Sequence, residues 1–599
     1  MRDALSRSIH FIAWGNFARP AVYVAWLESL ALLGLVVWVA LATASLFDSG
    51  ETESSPTDAL ITSFATGVAL WVPALFILAC VHAYRAPVVA ALAVMAVVAP
   101  GIQARSAVAL ARPGRAILAA LRAEPWLWLL FVLCSMSALL PPYRWDETAY
   151  HLAQAEQWVQ AGSLTVDPSL RYPLNACNWQ LVQGVALMLR SESLVHLLTW
   201  LSGCLAALCV RAWLERLGVH RAVSYPAAIA FFVTPLVQNG LTTGLIDVPL
   251  MFWLTVAVYM LSRRGGALCA AMFVGMKITA LLFLPLFIGL AVWHYRGRRL
   301  ATYVAVLFIG SAPWYVRNLA LSGDPVPPLL VHPARYWSDW DREAQAADLH
   351  KGLSWSPTAL ATLPWRTLSS TDEGSLRGWP LLGYILVFPF SILLLRRVSI
   401  VAAWYGVIVW IATSYHLRYA MFLPLAVIAA AYVLSTALSH ARAWLAAAVS
   451  TLLLIGPTPA AAQYIKNDWS RPIPIGDPLA DLGPCEAGVM RDITRRVPPP
   501  GLMYLVNLSP LKYALEVRGY RAVGDDFHEG RWTDFWRAVD ARATGAFLHS
   551  LPVSYVAVCR SYPADRTGRW PETLATLSSD SALAPMTTDS VAALFRITP

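Results

Sequence analysis

Charge is what this sequence has little of. Only 14% of its 599 residues are Asp, Glu, Lys or Arg, against 57% hydrophobic, where a soluble domain carries nearer one quarter charged residues. That scarcity excludes an ordinary soluble protein. With a mean hydropathy of +0.54, the chain reads as an α-helical polytopic membrane protein. A Gly-rich phosphate loop is also missing, which argues against a water-soluble nucleotide as group donor. The eight cysteines show no CxxC and no His-paired spacing, which removes the usual thiol-redox and zinc arrangements. No tandem repeat occurs. The net charge of +9 is spread along the chain rather than clustered, so nucleic acid is a poor partner.

What is present in abundance is apolar runs. A spanning helix needs about 20 predominantly apolar residues, and thirteen segments predict spans: 21–47, 60–83, 126–141, 193–211, 222–239, 247–262, 266–276, 278–293, 300–317, 379–395, 398–414, 418–437 and 443–463. Basic loops then set the sides. Arg2, Arg7 and Arg19 place the N-terminus in the cytoplasm, and the acidic loop "DSGETESSPTDA" falls outside. Arg85, Arg105, Arg112, Arg115 and Arg122 mark the next region as cytoplasmic, which makes the apolar run 87–101 interfacial rather than spanning. Arg211, Arg216, Arg221, Arg263, Arg264, Arg296, Arg298, Arg299, Arg396, Arg397 and Arg442 continue the cytoplasmic set. The outer, periplasmic-type face receives 142–192, 318–378 and 464–599. Ala42-Thr43-Ala44 looks like a signal-peptidase site, but the apolar stretch is long for a signal peptide and reads as a retained anchor.

Three regions follow. Residues 1–122 form a membrane region of two spans and an interfacial segment, 123–463 a membrane core, and 464–599 a small periplasmic α/β domain. In the last of these, "GLMYLVNL", "VSYVAVC" and "VAALFRIT" read as strands, and "DDFHEGRWTDFWRAVDARATG" as an amphipathic helix. Cys485 and Cys559 are the two cysteines in this polar region, and a disulfide between them stays open at this level.

Candidate chemistry gathers at the outer ends of the core spans. In "LCSMSALLPPYRWDETAYH" an apolar run stops at Pro141-Pro142 and delivers Asp146 and Glu147 to the start of an amphipathic helix that carries Tyr150 and His151. Negative charge is favourable there through the helix dipole, so Asp146 has a plain alternative role as an N-cap. The segment "RYPLNACNWQL" adds Arg171, Tyr172 and Asn175, and "GLIDVPLMFWL" puts Asp247 at another span mouth. Lys277 in "VGMKITALLFLP" lies inside an apolar stretch. An intramembrane lysine is expensive and points to function, unless its head snorkels from a helix end. Arg317 and Asn318 close a later span, and "SYHLRYAMFLP" places His416, Arg418 and Tyr419 at a tight outer turn. Arg418 opposes the positive-inside trend. Its planar guanidinium suits a phosphate oxygen pair, the alternative being an ion pair with Asp146 or Glu147. Acids from one loop and cations from others suit group transfer from a membrane-anchored phosphate, with a carboxylate as base and Arg418 or Lys277 on the departing phosphate.

In their order along the chain, "WDETAYHLAQAEQW", "RYPLN", "LIDVPLMFW", "GMKITALLFLP", "PWYVRNLALSGDPVPP" and "HLRYAMFLPLA" resemble the type C (GT-C) superfamily of integral-membrane glycosyltransferases. On these motifs the chain resembles bacterial proteins akin to protein O-mannosyltransferases and the lipid A aminoarabinose transferase. The resemblance implies a polyprenyl-phosphate sugar donor, an acceptor on the periplasmic side, and residence in the bacterial inner membrane. It implies Asp146, with Glu147 beside it, as general base and Arg418 as the donor-phosphate ligand, with Lys277 and His416 as its partners. It implies no cofactor: Asp339-Trp340-Asp341 is a DxD, but a lone DxD is a weak metal signal. The chain departs from the family in carrying about 120 residues before the acidic loop. Two other readings compete: a transporter or flippase of a lipid-linked substrate, which would leave the large outer loops idle, and a non-catalytic subunit of envelope-polysaccharide assembly.

Overall fold

The computed structural model describes residues 19–47, 55–103, 112–142, 144–168, 170, 172–327, 330, 356, 358, 387–413, 420–438, 473, 484–506, 508, 510–524, 531–559, 570–588 and 592–598. Two bodies follow from the element order, a helical bundle and a five-stranded sheet with helices. The bundle begins with α1 (Pro20–Ser45), α2 (Pro56–Cys80), α3 (Ala86–Gln103) and α4 (Arg112–Ala123). Each of α1 and α2 starts on a proline, which fits the first turn because its missing N–H has no helical partner there. The two helices pack closely because Gly67 faces the backbone of Ala40, where any Cβ would collide with the Ala40 carbonyl.

A bend of 99° separates α4 from α5 (Pro125–Cys134), which runs on as a 3-10 turn, Ser135–Leu139. Pro125 explains the break, since the residue before a proline is pushed out of the helical region. Next come a π-helical turn, Glu147–His151, continuing as α6 (Leu152–Ala161), then α7 (Asn178–Met188) and α8 (Glu192–Arg216). α8 is the central helix, with 94% of its apolar window buried, whereas α1 buries 28%. It packs on α9 (Arg221–Phe232), α11 (Asp247–Tyr259) and α16 (Leu423–Ala437). Between them lie α10 (Pro235–Leu241), α12 (Gly266–Val274), a 3-10 turn Ile278–Phe283 leading into α13 (Leu284–His294), α14 (Gly297–Ser322), and, after a 3-10 turn Phe388–Leu394, α15 (Val398–Thr413).

The bundle is that of a multi-pass membrane protein. Among the described residues, four helices are long and apolar enough to cross a membrane, and five if the bent pair counts as one. Several expected spans are divided. The run 222–239 breaks before Pro235 into α9 and α10, and 278–293 opens as a 3-10 turn. The expected span 443–463 lies outside the described residues.

Three expectations about sides are corrected, those for the acidic loop, for Arg19 and for Arg85. The acidic loop before Asp58 was expected opposite Arg216 and Arg263. Instead, Arg263 Nη2 donates to Asp58 Oδ2 at 2.6 Å, Tyr259 Oη to Asp58 Oδ1 at 2.6 Å, and Arg216 lies 3.3 Å away. At the other end, Arg19 Nη1 donates to Ile473 O, Val22 packs on Met136 and Leu140, and the Tyr84 N–H and hydroxyl bond the carbonyls of Gly162 and Leu181. The start of α1 and the end of α2 therefore lie with the 142–192 loop. α3 then leads from Arg85 at that end to α4, which is joined to Arg211 and Tyr225 through Glu124 at the other. The physical reason is that acidic residues contribute little to sidedness, whereas a buried carboxylate requires partners. Asp58→Ala should leave two guanidiniums facing a void. Because both reach water, we expect a loss of roughly 1–3 kcal/mol, read as a lowered Tm in detergent; an unchanged Tm would show the cluster to be passive.

The C-terminal body starts with α17 (Pro484–Arg496) and β1 (Leu502–Val506), then α18 (Leu511–Glu516), β2 (Arg521–Gly524), α19 (Arg531–Asp540), α20 (Thr544–His549), β3 (Tyr555–Cys559), α21 (Trp570–Ser579), β4 (Leu583–Thr588) and β5 (Ala592–Ile597). Strand order is β2-β1-β3-β5-β4, with β2, β1 and β3 parallel and the β5 pairings antiparallel. β1 reads LMYLV without polar alternation because helices cover both faces of the sheet. The three expected strands are β1, β3 and β5, and Cys485 and Cys559 are paired, which ties α17 to the end of β3.

Candidate active site

Burial divides the acidic pair. Glu147 is fully buried. Its Oε1 accepts from His196 Nε2 at 2.7 Å and from the Gly244 N–H at 2.5 Å, and its Oε2 accepts from the Arg144 N–H at 3.2 Å. Burial would raise its pKa, but the His196 charge and hydrogen bond, with the Gly244 and Arg144 amides, outweigh it and hold the carboxyl below its ordinary value. Asp146 is half-buried. It has helical dihedrals and its side chain makes no capping bond to the turn that follows, so the N-cap role does not apply. Glu147 opens a π-helical turn, a form met mostly as single turns and often at functional sites.

Glu147 also reaches the segment that leads to the second acid. Gly244 donates to it while the Gly244 carbonyl accepts from Gln183 Nε2 at 2.7 Å. The two peptide groups that flank the Gly244 Cα are thus each held, three residues before Asp247. A Cβ on Gly244 would stand 2.8 Å from Glu147 Oε1, so the close approach needs glycine. Asp247 opens α11 and lies 3.9 Å from Lys277 Nζ. Lys277 occupies an extended backbone position, φ −157°, between α12 and the following 3-10 turn. It sits at a break, and the apolar run around it is not one continuous helix.

The segment 170–178 is fastened to this break. Asn175 Oδ1 accepts from the Ile278 N–H at 3.1 Å, and the Asn178 N–H donates to the Gly275 carbonyl at 2.8 Å. Asn318, fully buried, donates to the Leu174 carbonyl at 2.8 Å, and Trp314 Nε1 donates to Asn178 Oδ1 at 2.6 Å. Arg317 lies over the Trp314 ring, 5.6 Å from its centroid. Tyr150 packs edge-on against Tyr172, with centroids 5.3 Å apart, and His151 Nδ1 lies 2.8 Å from Gln180 Nε2. Asp247 and Lys277 form an ion pair beside the break that Asn175 fastens, and Tyr150 and Tyr172 pack on each other in the segment that follows Asp146, while His151 and Asn318 make their contacts within the bundle. Arg171, His416, Arg418 and Tyr419, and the Asp339–Asp341 pair, lie outside the described residues. No group of three or more metal-binding side chains occurs among the described residues.

Sequence reasoning passed over His196, Gly244, Gln183 and Asn178. His196 had a signal, as an ionisable residue inside an expected span. Gly244 had none, since a lone glycine near a helix start is common.

No protein-family model matches the chain. An uncharacterized protein of Shigella flexneri is 36% identical over 73 residues, 12% of this chain, which spans only 37% of that protein's length. Among solved structures, ArnT from Cupriavidus metallidurans bound to undecaprenyl phosphate superimposes with a TM-score of 0.50 at 14% identity, covering 79% of this chain and 98% of that one. The apo form of the same protein gives 0.49. The chain therefore shares the fold of that structure over about four fifths of its length, in keeping with a GT-C-like architecture.

Proposed function

We propose that the chain is a membrane glycosyltransferase that moves a sugar from a polyprenyl-phosphate donor to an acceptor hydroxyl or amine at the outer-loop end. The observation that carries this reading is the divided acidic pair: a half-buried Asp146 held in place by a buried, fully engaged Glu147. An accessible carboxylate on a braced turn is what a general base needs. The undecaprenyl phosphate bound by ArnT supports a polyprenyl-phosphate partner here.

In this mechanism Asp146 takes the proton of the acceptor as its oxygen or nitrogen attacks the anomeric carbon. The bond from that carbon to the phosphate oxygen breaks, and free polyprenyl phosphate leaves with the bonding pair. Lys277 and Arg418, with His416, hold the phosphate charge as it develops. Tyr150, Tyr172, Tyr419, Arg171, Asn175 and Asp247 line the path of sugar and acceptor. His151, Arg317 and Asn318 keep that lining in register. Glu147 acts through position, as the brace between Asp146 and the Asp247 loop. The acceptor is a lipid, glycan or protein on the periplasmic side of a bacterial inner membrane, and neither metal nor other cofactor enters.

The test is purified protein in detergent, with membrane extract as acceptor and a panel of polyprenyl-phosphate sugars as donors. Release of free polyprenyl phosphate with one donor is expected. Specific lipid binding with no turnover of any donor would overturn the reading in favour of a transporter or an assembly subunit.

A further inference from the structure

The short helix after β1 is shared between its own domain, whose core takes Leu511 and Leu515, and the bundle. α18 packs on the π-helical turn and on α6. Tyr513 is 3% exposed and belongs to the hydrophobic core of the bundle rather than to that of its own domain. Its hydroxyl bonds the Glu192 carboxylate at the start of α8, one turn before the His196 that holds Glu147. Beside it, Lys512 Nζ lies 3.0 Å from both Asp167 Oδ2 of the outer loop and Glu516 Oε1 of its own helix, with 1% of its side chain exposed. Lys512 also donates to the Ala522 carbonyl. Gln157 Nε2 of α6 donates to Asp167 and Glu516, at 2.8 and 2.9 Å, and Gln160 Nε2 donates to the Glu516 carbonyl at 3.0 Å.

We infer that Lys512, Tyr513 and Glu516 are positioning residues: the C-terminal domain is a clamp that holds the turn carrying Asp146 in its working orientation. The inference rests on the reading of Asp146 as base. A π turn is not the form an isolated segment adopts, so its geometry has to be imposed from outside. Glu147 imposes it from the bundle side, through His196 and Gly244. α18 imposes it from the opposite side, through α6 and Glu192. The contact is desolvated, and a buried ammonium left without its carboxylates is strongly disfavoured. The clamp is therefore either seated or lost, with little in between. Burial lowers the Lys512 pKa, but Glu516 and Asp167 outweigh it and raise it above the ordinary lysine value. A group raised in the folded state stabilises below its ordinary pKa, so Lys512 stays charged throughout the neutral range.

The experiment uses the full-length protein in detergent, wild type and Lys512→Met, with three readouts: kcat on the donor found above, affinity for undecaprenyl phosphate, and hydrogen exchange of residues 145–161. We expect kcat to fall at least about 10-fold, exchange at 145–161 to accelerate, and affinity for the lipid phosphate to stay within about twofold, because the clamp touches the base and not the donor. The milder pair Gln157→Ala with Gln160→Ala, which removes the bundle's hydrogen bonds to Glu516 and leaves the domain intact, should give the same pattern at about 3- to 10-fold. Full kcat in both variants, or faster exchange with full kcat, overturns the clamp while leaving the transferase reading standing. A wild type that turns over no donor overturns the transferase reading, and accelerated exchange in Lys512→Met would then still support a seated clamp.

Discussion

Asp146→Asn is expected to lower sugar transfer by about 10²- to 10⁴-fold, with Tm and affinity for undecaprenyl phosphate close to wild type. The substitution keeps size and polarity and removes only the capacity to take a proton. Asp146 caps no helix, because its dihedrals are already helical and its side chain makes no capping bond, so the substitution removes no helix cap. Glu147→Gln should behave differently. That carboxylate is fully buried and accepts from two backbone amides and an imidazole. An amide in its place keeps one accepting oxygen and turns an N–H group against another N–H. A cost of about 1–3 kcal/mol should appear as a lowered Tm, with turnover falling as Asp146 loses its seat. The two variants together separate chemistry from support. Normal release of polyprenyl phosphate by Asp146→Asn would remove the base assignment whatever Glu147→Gln does.

How much of this was legible beforehand depends on whether a signal is local. Apolar runs and their proline stops are local, and the helices of the core fall where those runs lie. Acids at span mouths and a lysine in an apolar stretch are local too, and the structure brings Asp247 and Lys277 to within 3.9 Å. The strands β1, β3 and β5 were visible as short apolar runs. β2, four residues long, and β4, with its bulge, were not. What escaped was set by tertiary partners. The side taken by Asp58 depends on Arg216, Arg263 and Tyr259, which are more than 150 residues away in sequence. The burial of Glu147 beside a half-buried Asp146 depends on His196 and Gly244, which no spacing rule connects to them. α18 looked like part of a separate domain because its six residues carry too few apolar positions to announce a second partner.

Lys277→Met is the second large effect, expected to cost about 10²- to 10³-fold in kcat, the loss typical of removing one charge-stabilising donor. Affinity for undecaprenyl phosphate should weaken as well, since the same ammonium meets the phosphate before and after the bond breaks. A competing account is that Lys277 only neutralises Asp247, and the distance bears on this. At 3.9 Å the pair is beyond hydrogen-bond range, so the attraction is Coulombic and tolerates a third partner carrying negative charge. The backbone points the same way. Lys277 is extended between two helical segments that Asn175 and Asn178 fix on either side, through Ile278 and Gly275, and such a break places the side chain without the freedom of a helix end. The double variant Lys277→Met with Asp247→Asn decides between the accounts. If neutralising Asp247 were the whole role, removing both charges would restore Tm and turnover together. If the ammonium serves the donor phosphate, the double variant recovers stability while kcat and lipid-phosphate affinity stay low. Lys277→Arg should fall between, because the guanidinium keeps the charge but presents a planar fork where a compact ammonium stood.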